Sequence, residues 1–175
     1  MTSSTDPSVF LAVEGGRGTV TLNRPAALNA LTLPMIRAIR GALAAFERDP
    51  AVRFVTIDSA REGVFCAGGD IAELRQHAGT LDVYIDELVG IVNPALLRLS
   101  ELPVPVVTAI NGPVGGGGSG WALCGDFALA AASMKLRTGY AAIGLSPDMG
   151  ASHFITRRIG SLRATEPRVQ VDVAN

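Results

Sequence analysis

The spacing of apolar residues changes along the first fifty residues, and this change predicts two strands followed by a helix. Residues 9–13 and 18–23 are rich in β-forming side chains and are joined by a glycine-containing turn at residues 14–17, so we expect a hairpin. Apolar residues then recur at helical spacing from Met35 to Phe46, after Thr32, a residue typical of helix N-caps. The chain therefore opens with a hairpin and an amphipathic helix.

The middle of the chain predicts buried strands that alternate with helices. The continuous apolar run from Arg53 to Asp58 is typical of a strand inside a sheet. A short helix is expected from about Ile71, followed by a longer helical region from Leu81 to Leu102, which Pro94 should kink or divide. A second buried strand is expected from Val104 to Ile110.

The last third of the chain continues this alternation. We expect a helix around Trp121 that ends at Gly125, strands at residues 127–131 and 134–137, and a helix that reaches Arg158. No repeat of fixed period and no linker interrupts the pattern. The sequence therefore predicts one α/β unit with mostly parallel central strands.

Composition narrows the classes of protein to which the chain can belong. The 175 residues are 48% hydrophobic and 18% charged, which suits a compact domain that needs no disulfides or structural metal. Fifteen basic residues balance sixteen acidic ones without forming a basic stripe, so we expect no nucleic-acid partner. Cys66 and Cys124 lack the spacing of a zinc or redox motif, which favours reduced thiols and a cytoplasmic protein.

One uncharged stretch and the amino terminus bear on membrane insertion and export. Residues 102–125 carry no charge, but the prolines and glycines within them cannot sustain a membrane-spanning helix, so no membrane partner is expected. Residues 1–8 lack the basic and apolar regions of a secretion signal and are interpreted as a disordered leader.

Two glycine-rich turns are the main candidates for chemistry. The first runs from Phe65 to Asp70 and the second from Asn111 to Gly120, and each follows a predicted strand and precedes a predicted helix. Helix starts carry unpaired N–H groups, so two such turns facing each other could hold one oxygen that becomes negative during a reaction. Glycines also permit tight packing of a helix on a sheet, and the residues alone leave both interpretations open.

The second turn formally matches the dinucleotide-binding pattern at Gly115-x-Gly117-x-x-Gly120, but its context does not fit. Four residues separate the strand from the first glycine, and no acidic residue lies between Asp126 and Asp148 to bind a ribose. A phosphate-binding loop fails as well, because Trp121 stands where the lysine should be. We therefore expect no nucleotide to bind through this motif.

Two aspartates precede predicted helices. Asp70 is followed three residues later by Glu73, the spacing of a capping box, which favours a structural role. Asp148 could likewise cap a helix, but its apolar neighbours could also tune its carboxyl for proton transfer, and both hypotheses stay open. His77 and His153 have no partner at metal-ligand or triad spacing, so no metal site is expected.

Four segments are distinctive when they are taken together: residues 23–31, 65–70, 111–126 and 143–148. In their order and spacing they resemble the crotonase (enoyl-CoA hydratase/isomerase) superfamily over roughly residues 9 to 163. The resemblance implies an α/β fold, a crotonase-like spiral of strand-strand-helix (ββα) turns. It also implies an acyl-CoA thioester substrate, no cofactor beyond the CoA of that substrate, and a homo-oligomer, either a trimer or a hexamer.

The resemblance also assigns roles to single residues. The backbone amides of Gly69 and Gly117 are expected to hold the thioester carbonyl, and Asp148 is expected to move the proton. The substrate-binding residues that the resemblance implies are Ala26, Leu28, Ala30, Ala67, Gly68, Asp70, Ile71, Gly116, Gly120 and Tyr140.

Two positions distinguish this chain from enoyl-CoA hydratases, which carry glutamates where it has Gly120 and Tyr140. The chain instead resembles the subgroup of 1,2-epoxyphenylacetyl-CoA and enoyl-CoA isomerases, in which the aspartate of the G-L-x-P-D segment, here Asp148, shifts the proton. We therefore expect an acyl-CoA isomerase. The alternatives are an enoyl-CoA hydratase and a non-catalytic acyl-CoA-binding protein.

Residues 164–175 do not resemble the family, in which further helices close the acyl pocket and form trimer contacts. The chain is thus expected to be truncated relative to the family, with apolar surface left for a partner copy to bury.

Overall fold

The fold is known from a computed structural model that describes residues 8–61, 63–165 and 170–172. The predicted leader lies outside the described residues except for its last residue. Much of the predicted atypical tail, residues 164–175, lies outside them as well.

Strands and helices alternate over the described residues. The strands are β1 (Val9–Glu14), β2 (Arg17–Leu22), β3 (Phe54–Ser59), β4 (Val106–Ile110), β5 (Val114–Gly115), β6 (Phe127–Ala130), β7 (Lys135–Arg137) and β8 (Gln170–Asp172). The helices are α1 (Leu33–Arg48), α2 (Ile71–Gln76), α3 (Leu81–Glu101), α4 (Gly118–Leu123), α5 (Ala151–Ile159) and α6 (Ser161–Ala164). Strand, strand and helix follow one another in β1-β2-α1, in β4-β5-α4 and in β6-β7-α5.

The main sheet has five strands in the order β1-β2-β3-β4-β6. The predicted hairpin is confirmed, because β1 and β2 pair antiparallel. The pairs β2·β3, β3·β4 and β4·β6 are all parallel, as predicted for the central strands. Each of these parallel connections contains a helix, which carries the chain back to the edge where the next strand begins.

Helix α1 lies between the β1-β2 hairpin and helix α3. The Thr32 hydroxyl accepts a hydrogen bond from the amide of Met35 (3.5 Å), so the predicted start of α1 is confirmed. Helix α1 packs on β1, β2 and α3. The predicted division of α3 at Pro94 is wrong: the helix continues through this residue, because proline removes only one intrahelical bond while a buried face from Tyr84 to Leu99 holds the helix in place.

A second, smaller sheet lies beside the first, with the order β5-β7-β8. Strands β5 and β7 pair parallel, and β7 and β8 pair antiparallel. A single bridge, Cys66·Val114, joins the first glycine turn to β5, and a second, Leu31·Gly69, joins the same turn to the segment before α1. The two glycine turns therefore lie side by side.

Helices α4 and α5 pack on each other. From α5, the Arg158 guanidinium donates hydrogen bonds to the carbonyl oxygens of Leu123 (3.4 Å), the last residue of α4, and of Gly125 and Asp126 (3.4 Å), which follow it. These carbonyls have no partner within the helix, so Arg158 satisfies them and ties the two helices together. No helix within the described residues combines the length and apolarity needed to cross a membrane.

Candidate active site

In the first glycine turn, residues 65–70, the backbone amide of Gly69 is unpaired within the described residues. The amide of Leu31 donates to the carbonyl of Gly68 (2.7 Å), and the amide of Asp70 donates to the carbonyl of Leu31 (3.1 Å). The amide of Gly69, between these two bonds, has no acceptor among the described residues. An unpaired N–H at this place can therefore bind a ligand oxygen.

The second turn leaves a similar amide at the start of α4. Gly115 donates to the carbonyl of Cys66 (2.9 Å), and Gly116 donates to the carbonyl of Arg137 (3.0 Å). Gly117 is the N-cap of α4, and its amide has no acceptor within the described part of the chain. Gly69 and Gly117 thus each offer a free donor.

The two turns touch at Gly68, which explains why this residue lacks a side chain. A β-carbon placed on Gly68 would lie 2.9 Å from the amide nitrogen of Gly117 and 3.0 Å from the carbonyl oxygen of Gly115. Its φ of +101° is also a conformation that L side chains rarely adopt. Both the backbone angle and the close approach require glycine, and together they bring the turns into contact.

Asp148 lies against the second turn. A β-carbon placed on Gly117 would lie 3.4 Å from Oδ1 of Asp148, and the Tyr140 hydroxyl donates to the same oxygen (2.7 Å). The hypothesis that Asp148 caps α5 is wrong, because the N-cap is Gly150 and no side chain bonds the first turn. Met149 and Gly150 have left-handed backbones (φ 48° and 71°), which turn the chain between Asp148 and the helix.

The Tyr140 hydroxyl is kept protonated by its surroundings. Burial raises the pKa of this phenol well above its usual value, and the hydrogen bond to the negative carboxylate of Asp148 raises it further. Tyr140 is therefore a donor to Asp148 and not a base at neutral pH.

Met149 lies next to both glycines, although the sequence analysis did not assign it to the site. Its Cε lies 3.8 Å from a β-carbon placed on Gly69, and its Cγ lies 3.1 Å from one placed on Gly117. Met149 is also buried. A buried methionine is usually a core residue, and only its position directly after Asp148 in the sequence could have indicated this proximity.

Gly120 faces backbone and has no room for a side chain. A β-carbon on it would overlap the carbonyl oxygen of Met149 and would lie 3.0 Å from the carbonyl carbon. A glutamate at this position could be accommodated only if the backbone at Met149 moved.

Asp70 is held by structural contacts. Its carboxylate accepts from the amides of Ala72 (2.9 Å) and Glu73 (3.2 Å) and pairs with Arg24 (2.9 Å), so the predicted N-cap is confirmed. The other half of the capping box is wrong, because the amide of Asp70 bonds Leu31 and not the side chain of Glu73. Burial raises the pKa of Asp70, but Arg24 and the two amides outweigh it and lower the pKa below 3.8.

The remaining predicted binding residues lie in or beside the first turn, except Gly116. The carbonyl of Leu28 accepts from the amide of Ala67 (3.0 Å), and Ala30 is buried with its carbonyl bonded to the Arg24 guanidinium (2.5 Å). Four of these residues have exposed side chains: Ala26, Leu28, Ala67 and Ile71. Gly116 lies directly before Gly117 in the second turn.

A cavity of about 420 Å³ borders the site on the side of Tyr140 and Pro147. All of its lining residues are uncharged, among them Leu145, Ile155 and Thr156. Its size and neutral lining suit a small, mostly apolar group.

Neither the two cysteines nor the potential metal ligands of the described residues add chemistry to this site. Cys66 and Cys124 are buried and unpaired, as predicted, and burial raises the pKa of each thiol to about 12. Across the described ranges, no three His, Cys, Asp or Glu side chains are grouped so that they could hold a metal ion.

Known proteins resemble this chain over most of its length. It is 37% identical to a mitochondrial 3-hydroxyisobutyryl-CoA hydrolase of Bos taurus, over 93% of this chain and 42% of that protein. It is 36% identical to a 1,2-epoxyphenylacetyl-CoA isomerase of Escherichia coli K12, over 87% of this chain and 58% of that protein. The chain thus spans about half the length of these relatives.

The solved structures include the same fold. The enoyl-CoA hydratase of Polaromonas sp. JS666 superimposes with a TM-score of 0.87 at 28% identity, over 94% of this chain and 65% of that one, which confirms the predicted crotonase fold. The family model described as enoyl-CoA hydratase/isomerase matches residues 17–164. These residues include both glycine turns and Asp148, and the chain therefore belongs to the enoyl-CoA hydratase/isomerase family.

Proposed function

We propose that this chain binds an acyl-CoA thioester and isomerises its acyl group through an enolate. The observation that carries the proposal is the position of Asp148, whose Oδ1 lies 3.4 Å from a β-carbon placed on Gly117, beside two touching turns that each offer a free amide. A carboxylate next to paired N–H donors suits removal of a proton from carbon followed by stabilisation of the resulting oxyanion.

In the proposed reaction, the thioester carbonyl oxygen accepts hydrogen bonds from the amides of Gly69 and Gly117. The Asp148 carboxylate removes a proton from the acyl chain, and the electron pair of the broken C–H bond moves onto the carbonyl oxygen to give the enolate. Asp148 then returns the proton to a different carbon, so the double bond shifts while the atoms of the substrate stay the same. The proposed reaction needs no cofactor, because CoA is part of the substrate.

The surroundings of Asp148 support isomerisation over hydration. Water addition by two glutamates would need acids at positions 120 and 140, but Gly120 faces the backbone of Met149 and Tyr140 stays protonated. A single carboxylate suffices for a proton shift. The similarity to the 1,2-epoxyphenylacetyl-CoA isomerase of Escherichia coli agrees with this choice.

Thioester hydrolysis is the second candidate, favoured by the 37% identity to the Bos taurus hydrolase. In this reaction Asp148 would deprotonate a water that attacks the thioester carbonyl, with the same two amides holding the oxyanion. The products would be a carboxylic acid and free CoA. Binding without turnover is the non-catalytic alternative.

We also propose that the protein forms a homo-oligomer, either a trimer or a hexamer, and acts in the cytoplasm. The proposal includes neither a nucleic-acid nor a membrane partner.

Product analysis tests the proposed function. The 175-residue chain is incubated in D₂O with 2-enoyl-CoA and 3-enoyl-CoA thioesters, and the products are separated and weighed by mass spectrometry. Isomerisation gives a positional isomer to which no water is added, and this isomer carries deuterium on carbon only where Asp148 exchanges its proton with D₂O before returning it. Hydration adds one water, and hydrolysis releases free CoA. Binding measured by calorimetry without any of these products would contradict an enzymatic role.

A further inference from the structure

We propose that Tyr140 is a positioning residue that fixes the orientation of the Asp148 carboxylate beside Gly117 through its hydrogen bond to Oδ1. This inference rests on the proposed function. It assigns Tyr140 a role different from the substrate contact that the sequence resemblance implies.

The hydrogen bonds of Asp148 carry the argument. The Tyr140 hydroxyl has one proton, which is directed at Oδ1 (2.7 Å) and not at the backbone oxygen of Asp148 (3.3 Å). Within the described part of the chain, Oδ2 accepts no hydrogen bond. A free carboxylate can rotate about its bond to the β-carbon, whereas one with a fixed donor on Oδ1 keeps one orientation toward a substrate.

The donor itself is held in place. Tyr140 is buried, and its hydroxyl faces Ser119, whose own hydroxyl donates to the carbonyl of Gly116 (2.7 Å). Gly116 directly precedes Gly117. Tyr140 therefore lies between the residue that moves the proton and the turn that supplies one oxyanion donor.

This arrangement also affects the choice of reaction. Tyr140 stands where the resemblance places a hydratase glutamate, and it offers Asp148 a neutral donor where that glutamate would bring a second charge. The resulting pair has one base and one fixed donor, which suits a proton shift within one substrate molecule more than the activation of water.

A double-mutant cycle on the isomerase assay tests the role of Tyr140. Tyr140→Phe keeps the ring and removes the hydroxyl, and we expect kcat to fall by about 10- to 100-fold while KM changes less than about threefold. In the Asp148→Asn background, the same change should cause no further loss. The matched control is Tyr84→Phe, at the other tyrosine of the chain, which is also buried and should leave kcat within about twofold.

The outcomes separate this inference from the proposed function. An unchanged kcat in Tyr140→Phe, an equal loss in both backgrounds, or a rise in KM alone would overturn the positioning role. Full activity in Asp148→Asn would instead overturn the proposed function.

A spectroscopic measurement keeps the test valid if Tyr140→Phe does not fold. The chain has two tyrosines, so 3-fluorotyrosine incorporated into the Tyr84→Phe variant labels Tyr140 alone. We expect its ¹⁹F resonance to move on Asp148→Asn and to stay in place on Asp70→Asn. A resonance that does not respond to Asp148→Asn would overturn the inference.

Discussion

Asp70 and Asp148 occupy similar places in the sequence and opposite situations in the structure. Each follows a glycine-containing segment and precedes a helix. Asp70 uses its carboxylate on two amides and one guanidinium, all within the protein. The Asp148 carboxylate accepts from one tyrosine hydroxyl and, within the described residues, from no helix amide, and its Oδ1 lies beside Gly117.

The difference shows that the number and kind of partners determine what an aspartate before a helix can do. A carboxylate stabilised by several donors is a poor proton acceptor, because those donors lower its pKa. A carboxylate with one neutral donor keeps an oxygen for a substrate. The following predictions test this contrast, beginning with the largest effect.

The first prediction concerns Asp148→Asn, which removes the proposed proton carrier. We expect kcat to fall by on the order of 10²- to 10⁴-fold, because the amide cannot accept the substrate proton. The free energy of unfolding should change by less than about 1 kcal/mol, since Asp148 caps no helix and asparagine can still accept from Tyr140. Steady-state kinetics and urea denaturation measure the two quantities, and an unfolding as costly as the kinetic loss would contradict the assignment.

The second prediction concerns Gly68→Ala, at the contact between the two turns. The left-handed backbone and the nearby amide of Gly117 should reduce the free energy of unfolding by about 2 to 3 kcal/mol. Displacement of that amide should also lower kcat by on the order of 10²-fold.

Gly41→Ala is the matched control for this change. Gly41 lies in α1, where an added β-carbon meets open space, so alanine should raise the free energy of unfolding by up to about 1 kcal/mol. Equal stability of the two variants would show that the close approach at Gly68 is not restrictive.

The third prediction separates the two structural roles of Asp70. Asp70→Ala removes both the cap of α2 and the ion pair with Arg24 and should cost about 2 kcal/mol in unfolding free energy. Asp70→Asn keeps an oxygen for the cap and should cost about half as much. Chemical denaturation measures both variants, and equal losses would mean that the cap contributes little.

The fourth and smallest prediction concerns the pH dependence of that stabilisation. The folded pKa of Asp70 is lowered, so its contribution is complete above the unfolded pKa of about 3.9 and is lost as the pH falls through the folded pKa. The stability difference between the native chain and Asp70→Asn should therefore be constant from pH 7 to about pH 5 and shrink below about pH 4. A difference that grows in acid would contradict the sign of this shift.

Local signals were enough to predict the elements whose stability is local. The β1-β2 hairpin follows from a glycine turn between β-rich segments, and α1 follows from its N-cap and apolar spacing. The short strands β5 and β8 have two and three residues, too few to give a pattern, and they form because other strands are already in place beside them. Helix α3 continues through Pro94 because of tertiary packing, which no local signal contains.

The candidate site shows the same division. Glycine turns and an aspartate in a recognisable segment indicated which residues to consider, and the resemblance assigned their roles. The bond between Tyr140 and Asp148 and the position of Met149 depend on the left-handed backbone at Met149 and Gly150. That turn lies against α4, where Gly120 faces the carbonyl of Met149, and this contact between distant parts of the sequence is not visible in the residues alone, which left two hypotheses for Asp148 open.

Arg158 has a consequence for how the site can move. The Arg158 guanidinium bonds carbonyls at the carboxyl end of α4 and so ties the carboxyl ends of α4 and α5 together. The amino ends of the same two helices adjoin Gly117 and Met149. A bulky ligand can widen that gap more readily by bending the segments before the helices, because pivoting either helix would separate the Arg158 guanidinium from its carbonyl acceptors. Adaptation to acyl groups of different size is therefore confined to the short connecting loops, while α4 and α5 move as one rigid unit.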